Sequence, residues 1–143
     1  MGNYSTAYYS AVALANDMKH IHTHAKGSLF DNIHNICNEY YEKANEEADT
    51  LAELAIEKEE AIMNPSYLLG ELDYKPTNYS RYSFELAMYT ARDCIEKYLV
   101  VLANLRNKTD DPSVQSLLDD MMRYWNKEKD YKIKARLADS DWE

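Results

Sequence analysis

The sequence predicts an all-α protein, a four-helix bundle of two hairpins joined by a long crossover that carries a short helix. Three observations predict it. Glycine and proline number three each, while Ala, Leu, Glu, Lys and Tyr abound, a balance that favours helices over strands. Four stretches carry apolar residues at alternating steps of three and four, the period of one helix face. The breaks between those stretches are short, long and short. All of 1–143 is read as one domain, long enough to bury a core.

The first helix is expected over 5–25, with Ala7, Ala11, Leu14, Met18, Ile21 and Ala25 on its inner face. Gly27 suits a left-handed stop, and Ser28 offers an N-cap with Asp31 three residues on. So short a break turns the next helix back antiparallel. That helix is expected over 28–60, with Phe30, Ile33, Cys37, Tyr40, Ala44, Leu51 and Leu54 inward. Pro65 and Pro76 bracket a short helix at 66–72, inside a connection long enough to cross the bundle and join parallel helices. The third helix is expected over 82–107 through Phe84, Ala87, Ala91, Cys94, Tyr98, Val101 and Leu105. Asp111 then caps the fourth, with Pro112 in its first turn. It is expected over 112–137 through Val114, Leu117, Leu118, Met121, Trp125 and Ile133. One long crossover between two short hairpins is the ferritin-like connection.

Charge and composition exclude several classes. No apolar run approaches the roughly 20 residues of a membrane span, and no signal peptide opens the chain. Cys37 and Cys94 fall on apolar stripes and read as reduced, buried thiols of a cytoplasmic protein. The net charge is −9, whereas a DNA-binding protein advertises a basic patch or tail. No Lys or Arg precedes Lys19, and the chain ends Asp139-Ser140-Asp141-Trp142-Glu143, which would repel phosphate. Lys127, Lys129, Lys132 and Lys134 make a locally basic run, balanced by Glu128 and Asp130. DNA binding through the tails is not expected.

The chemistry concentrates between His22 and Glu53. His22 and His34 stand twelve residues apart with Lys26, Gly27 and Phe30 between them, and Asp49 and Glu53 follow as an i, i+4 carboxylate pair. On one helix, His34 and Asp49 are about 22 Å apart, and Asp49 and Glu53 point roughly 60° and 100° away from His34. No single metal spans that gap within a chain. A bundle-centre di-iron site would instead use Glu-x-x-His motifs, and the sequence has none. An antiparallel two-fold contact would bring His22 and His34 of one subunit to the carboxylates of the next, twice per dimer. Imidazole with carboxylate suits iron, zinc or manganese, so ligand type alone does not choose the metal.

The set His22-Lys26-Gly27-Phe30-His34 with Asp49-Ala52-Glu53 resembles the ferroxidase signature of the Dps family, the small ferritin-like cages that protect bacterial DNA from oxidants. The resemblance implies a hollow homododecamer. In it, His22 and His34 would coordinate iron together with Asp49 and Glu53 of the neighbouring subunit, Glu53 bridging to a second iron. It implies oxidation of Fe(II) to Fe(III) by hydrogen peroxide or dioxygen, storage of ferric mineral in the cavity, and no organic cofactor. It also points to acids near the start of the last helix, Asp110, Asp111, Asp119 and Asp120, as linings of iron-entry pores that would focus cations. The chain departs from the family pattern at Thr23, His24, Asn38 and Gln115. His20 and His24, an i, i+4 pair, are expected to face solvent. Two other readings stay open: a structural cage with weak or lost ferroxidase activity, and a DNA-condensing protein.

Overall fold

The computed structural model describes residues 2–71 and 74–138. Its elements are α1 (Asn3–Thr23), α2 (Phe30–Glu57), the short α3 (Pro65–Glu71), α4 (Phe84–Lys108), α5 (Pro112–Lys127), a π-helical segment (Glu128–Ile133) and α6 (Lys134–Ala138). The expected end of the short helix at Leu72 and the acidic residues Asp139–Glu143 lie outside the described residues.

The apolar stripes do what their spacing dictates. Ala7, Ala11, Leu14, Met18, Ile21 and Ala25 are all buried, as are Ile33, Cys37, Tyr40, Ala44, Leu51 and Leu54 facing them from α2. Phe30 departs from expectation and is 40% exposed. It begins α2, ahead of the first turn that meets α1, and its ring stacks on His34 instead of entering the core. From α4 the core takes Ala87, Met88, Ala91, Ile95, Tyr98, Leu102 and Leu105. Trp125, Tyr40 and Tyr98 fill the space where α2, α4 and α5 converge. Burying groups of this size supplies most of what stabilises such a domain, at about 25 cal/mol per Å² of apolar area.

The helix ends show which capping signals operate. Gly27 takes φ +104 in the α1–α2 turn, as its missing side chain permits. Ser28 does not cap α2. Leu29 holds the N-cap position without a side-chain hydrogen bond, and the first free amide of the helix, at Phe30, donates to Gly27 O. Asp111 does cap α5, accepting from Ser113 N at 3.0 Å, with Pro112 in the first turn. Its carboxyl is held down at about 2, first by the Lys58 ammonium and then by Ser113. At the end of α2, Glu59 sits at φ +61 while Glu60 N donates to Ala55 O and Glu59 N to Ile56 O, the closing pair of a Schellman turn. The turn aims the Glu60 carboxylate at the start of α1, where it accepts from Ser5 N, Ser5 Oγ and Tyr4 N.

The direction of each helix follows from these contacts. Lys58 at the end of α2 meets Asp111 just past the end of α4, so α2 and α4 run parallel and the segment between them crosses the length of the bundle. Tyr4 near the start of α1 bonds Thr109 beyond α4 at 2.9 Å. At the far end, Ala25 and Tyr82 form an isolated β-bridge, with Lys26 N donating to Tyr82 O and Tyr82 N to His24 O. The second half of the crossover lies along α1. Asp17, buried there, accepts from the Tyr74 hydroxyl at 2.9 Å and Thr77 N at 3.1 Å.

The last expected helix, over 112–137, is interrupted. A straight α-helix would turn Ile133 about 80° away from Trp125. The π-helical turn at Glu128–Ile133 widens the coil and returns Ile133 and Leu137 to the core.

Candidate metal centre

His22 lies in the last turn of α1 and His34 in the first turns of α2, so the α1–α2 turn folds one onto the other. Their rings stack with centroids 3.7 Å apart and planes 24° from parallel. Each ring bonds the other residue's backbone. His22 Nδ1 lies 2.8 Å from His34 O, and His34 Nδ1 lies 3.1 Å from His22 O. A carbonyl oxygen only accepts, so each Nδ1 carries the proton and donates. In the neutral imidazole each Nε2 then keeps its lone pair. A hydrogen bond of this kind fixes both ring orientation and tautomer in a metal-ligating histidine.

Phe30 covers the outer face of the His34 ring at 5.1 Å between centroids. The crossover supports the corner from the other side through the Tyr82 bridge to His24 and Lys26. His20 and His24, expected to face solvent, are half-buried instead. His20 Nε2 donates to Tyr79 O at 2.9 Å, His24 Nδ1 donates to His20 O at 2.9 Å, and the two rings lie 4.1 Å apart. Their role in holding the crossover has no sequence signal, because the acceptors are backbone carbonyls.

Asp49 and Glu53 stand near the other end of α2, exposed on its outward side. The helix is continuous from Phe30 to Glu57, so about 22 Å separates His34 from Asp49. The chain brings the two histidines together and does not bring the carboxylates to them. Among the described residues no group of three or more His, Cys, Asp or Glu side chains converges within the chain. Asp49 is instead close enough to α1 for its charge to raise the Tyr8 hydroxyl, after burial and the neighbouring Tyr9.

The departures from the Dps pattern have structural consequences. The Asn38 amide donates to Glu42 Oε1 at 3.2 Å, along its own helix. Thr23 Oγ1 donates to Lys19 O at 2.8 Å and so satisfies itself on α1.

Of the four acids considered as pore linings, three are engaged within the chain. Asp111 caps α5 and pairs with Lys58, Asp119 pairs with Arg106 and Asp120 with Arg123. Two lysines of the locally basic run are likewise paired, Lys129 with Glu96 and Asp130 and Lys132 with Glu128. The two cysteines are free thiols, and burial pushes each up to about 12. Cys37 is fully buried, whereas Cys94 is partly exposed and its Sγ lies 3.6 Å from Asp17 Oδ2. No helix among the described residues is long and apolar enough to cross a membrane.

A family model described as a ferritin-like domain matches residues 8–138. The chain belongs to the ferritin-like family. Solved structures carry the same fold. The antigen TpF1 from Treponema pallidum is 16% identical with a TM-score of 0.85, over 94% of this chain and 88% of that one. CAIP from Helicobacter cinaedi is 18% identical with a TM-score of 0.86, over 95% and 97%. A Dps protein from Bacillus brevis is 19% identical with a TM-score of 0.83, over 94% and 92%. No curated protein matches the sequence. At these identities the likeness is one of fold, and the ferritin-like chain is similar in architecture to a Dps protein along almost its whole length.

Proposed function

We propose that this ferritin-like chain is a Dps-like mini-ferritin of the cytoplasm, which binds and oxidises Fe(II) at sites shared between subunits and stores the ferric product. The observation that carries this reading is the reciprocal pair of hydrogen bonds between His22 and His34. It leaves both Nε2 atoms outside these bonds on one preorganised corner, and among the described residues no group of three or more ligand-type side chains converges there.

In an antiparallel two-fold contact, the partner subunit's Asp49 and the partner subunit's Glu53 complete each imidazole pair. Ferrous iron is then the substrate. Imidazole nitrogens bind it without adding charge, and the carboxylates favour the ferric state that follows, because extra positive charge is offset by anionic oxygen. Two ferrous ions give one electron each to hydrogen peroxide, whose O–O bond breaks to form two waters with two protons from solvent. Glu53, with two oxygens, is suited to bridge the ions. Closure of such contacts into a twelve-chain cage would give the product a cavity.

Native mass spectrometry of protein loaded anaerobically with Fe(II) tests assembly and site together. A mass near twelve chains with metal at two shared sites per dimer is expected. His34→Ala and Asp49→Ala should each abolish peroxide-driven iron oxidation, and unchanged oxidation in either variant would sink the ferroxidase reading.

A second reading is a structural cage without the chemistry, and the turning of Asn38 towards Glu42 favours it. Twelve chains that hold no metal would select that reading. A monomer would overturn both.

A further inference from the structure

A cleft of about 290 Å³ opens between α1, α4 and the second half of the crossover, and the proposed iron chemistry does not use it. Leu14 of α1 and Val101 of α4 give it apolar walls. A water's share of liquid volume is about 30 Å³, so the cleft has room for a small organic molecule.

A thiol, a carboxylate and a phenol meet in it. Cys94 is partly exposed, and its Sγ donates to Asp17 Oδ2 at 3.6 Å. Asp17 is only 7% exposed. Its other oxygen is held in place, since Oδ1 accepts from the Tyr74 hydroxyl and from Thr77 N. A nucleophile, a base within its hydrogen-bond reach and further groups that orient the base make up the arrangement of an activated nucleophile. Burial, and after it the charge of Asp17, pushes the Cys94 thiol up to about 12. The resting thiol therefore keeps its proton and reacts only when a base removes it. Burial also raises the Asp17 carboxyl, which makes it a stronger proton acceptor than a surface acid.

The rim of the cleft is positive. Lys75 from the crossover and Lys97 from α4 both line it and are exposed. Neither belongs to a salt bridge among the described residues. Lys97 acts on the thiol more strongly than the neighbouring Asp93 does. Two ammonium groups at the mouth of a cleft with apolar walls draw in small anions.

We propose that Cys94 is a covalent binding site for a short aldehyde bearing a carboxylate, with Asp17 carrying the proton and Lys75 and Lys97 holding the anionic end. The S–H bond breaks and its proton forms an O–H bond on Asp17 Oδ2. The sulfur pair forms an S–C bond to the carbonyl carbon. The C=O π pair moves to the aldehyde oxygen, which takes the proton back from Asp17. The product is a hemithioacetal, the sum of thiol and aldehyde. Nothing is oxidised, no leaving group departs and Asp17 ends as it began, so the addition reverses when the aldehyde is withdrawn.

The test uses the whole chain free of iron, so that it succeeds or fails independently of the ferroxidase reading. Glyoxylate isotopically labelled at its aldehyde carbon is the probe, followed by carbon nuclear magnetic resonance on the folded protein. A resonance from a tetrahedral carbon bonded to sulfur is expected, and Cys94→Ser should remove it. Its absence from the natural chain overturns the proposal, and so does its survival in Cys94→Ser or a lysine imine signal alone. Glycolaldehyde, similar in size but uncharged, should form roughly tenfold less adduct, and equal yields overturn the choice of an anion. Lys75→Met with Lys97→Met, both at exposed positions, should erase that preference, and its persistence overturns the role of the lysines. Asp17→Asn should slow adduct formation roughly a hundredfold with helix content unchanged by circular dichroism, and an unchanged rate overturns Asp17 as the base. If Asp17→Asn does not fold, the serine and methionine variants still decide.

Discussion

The two faces of α2 treat the same kind of side chain in opposite ways. Inward, Glu47 is buried against Tyr98 and Trp125, which both donate to it. Outward, Asp49 and Glu53 remain exposed and far from the imidazoles. The inner acid takes its hydrogen bonds from its own chain, and the outer pair faces away from the core. One helix can therefore carry a self-sufficient core on one face and, on the proposed function, half of a shared site on the other, since its two faces are set independently by residue spacing.

The sharpest way to break this comparison is to remove the hub of the inner face. Trp125→Ala should cost about 3–5 kcal/mol in urea denaturation, from lost burial and the cavity left behind, while Asp49→Ala leaves the urea midpoint where it is. Comparable losses from both would mean that the outward face also holds the fold together.

A smaller effect separates buried acids by their protons. Burial raises the Asp17 carboxyl above the ordinary range, against hydrogen bonds from Tyr74, Thr77 and Cys94 and the charge of Lys97, which pull it down. A carboxyl whose folded value is raised holds its proton more tightly in the folded chain. Its contribution is full below the ordinary carboxylate range and is lost as pH rises through the raised folded value. Urea midpoints of the natural chain should fall through that window relative to Asp17→Asn, which has no proton to lose. Parallel pH profiles would show that Asp17 is as well solvated as a surface acid.

The smallest effect concerns backbone alone. Glu59 sits in the left-handed region that disfavours a side chain, so Glu59→Gly should gain about 1 kcal/mol, read as a higher thermal midpoint. A loss would show that the Glu59 side chain contributes more than its strain removes.

The outer features of this fold were legible because they are written in apolar spacing and in residues with special backbone needs. The α1 stripe, Gly27 and the Asp111-Pro112 start of α5 all read directly. The long crossover was legible from Pro65 and Pro76. What stayed hidden lies where polar side chains find partners distant in sequence. Glu47 looks like any other acid on a charged helix, since nothing local announces that Tyr98 and Trp125 will donate to it. The π-helical turn is hidden because it changes the period by which a sequence is read. Ser28 misled because the α1–α2 turn satisfies the first amide of α2 with a backbone carbonyl. Within the candidate site, the identities and spacing of His22, His34, Asp49 and Glu53 were readable. The reciprocal backbone bonds that fix the imidazole tautomers were not.

The β-bridge between Ala25 and Tyr82 has a consequence for the order in which the molecule assembles. His24 and Lys26 bond within the first hairpin's turn to a residue that follows all of α2 and the crossover. The first hairpin can collapse through nearby contacts alone, but the bridge must wait for a large loop to close, and closing it carries an entropic cost that grows with its length. During synthesis the imidazole corner would thus emerge early, while the Tyr82 support of its turn would arrive late. A nascent chain would carry the two stacked histidines well before the crossover braced the turn beside them.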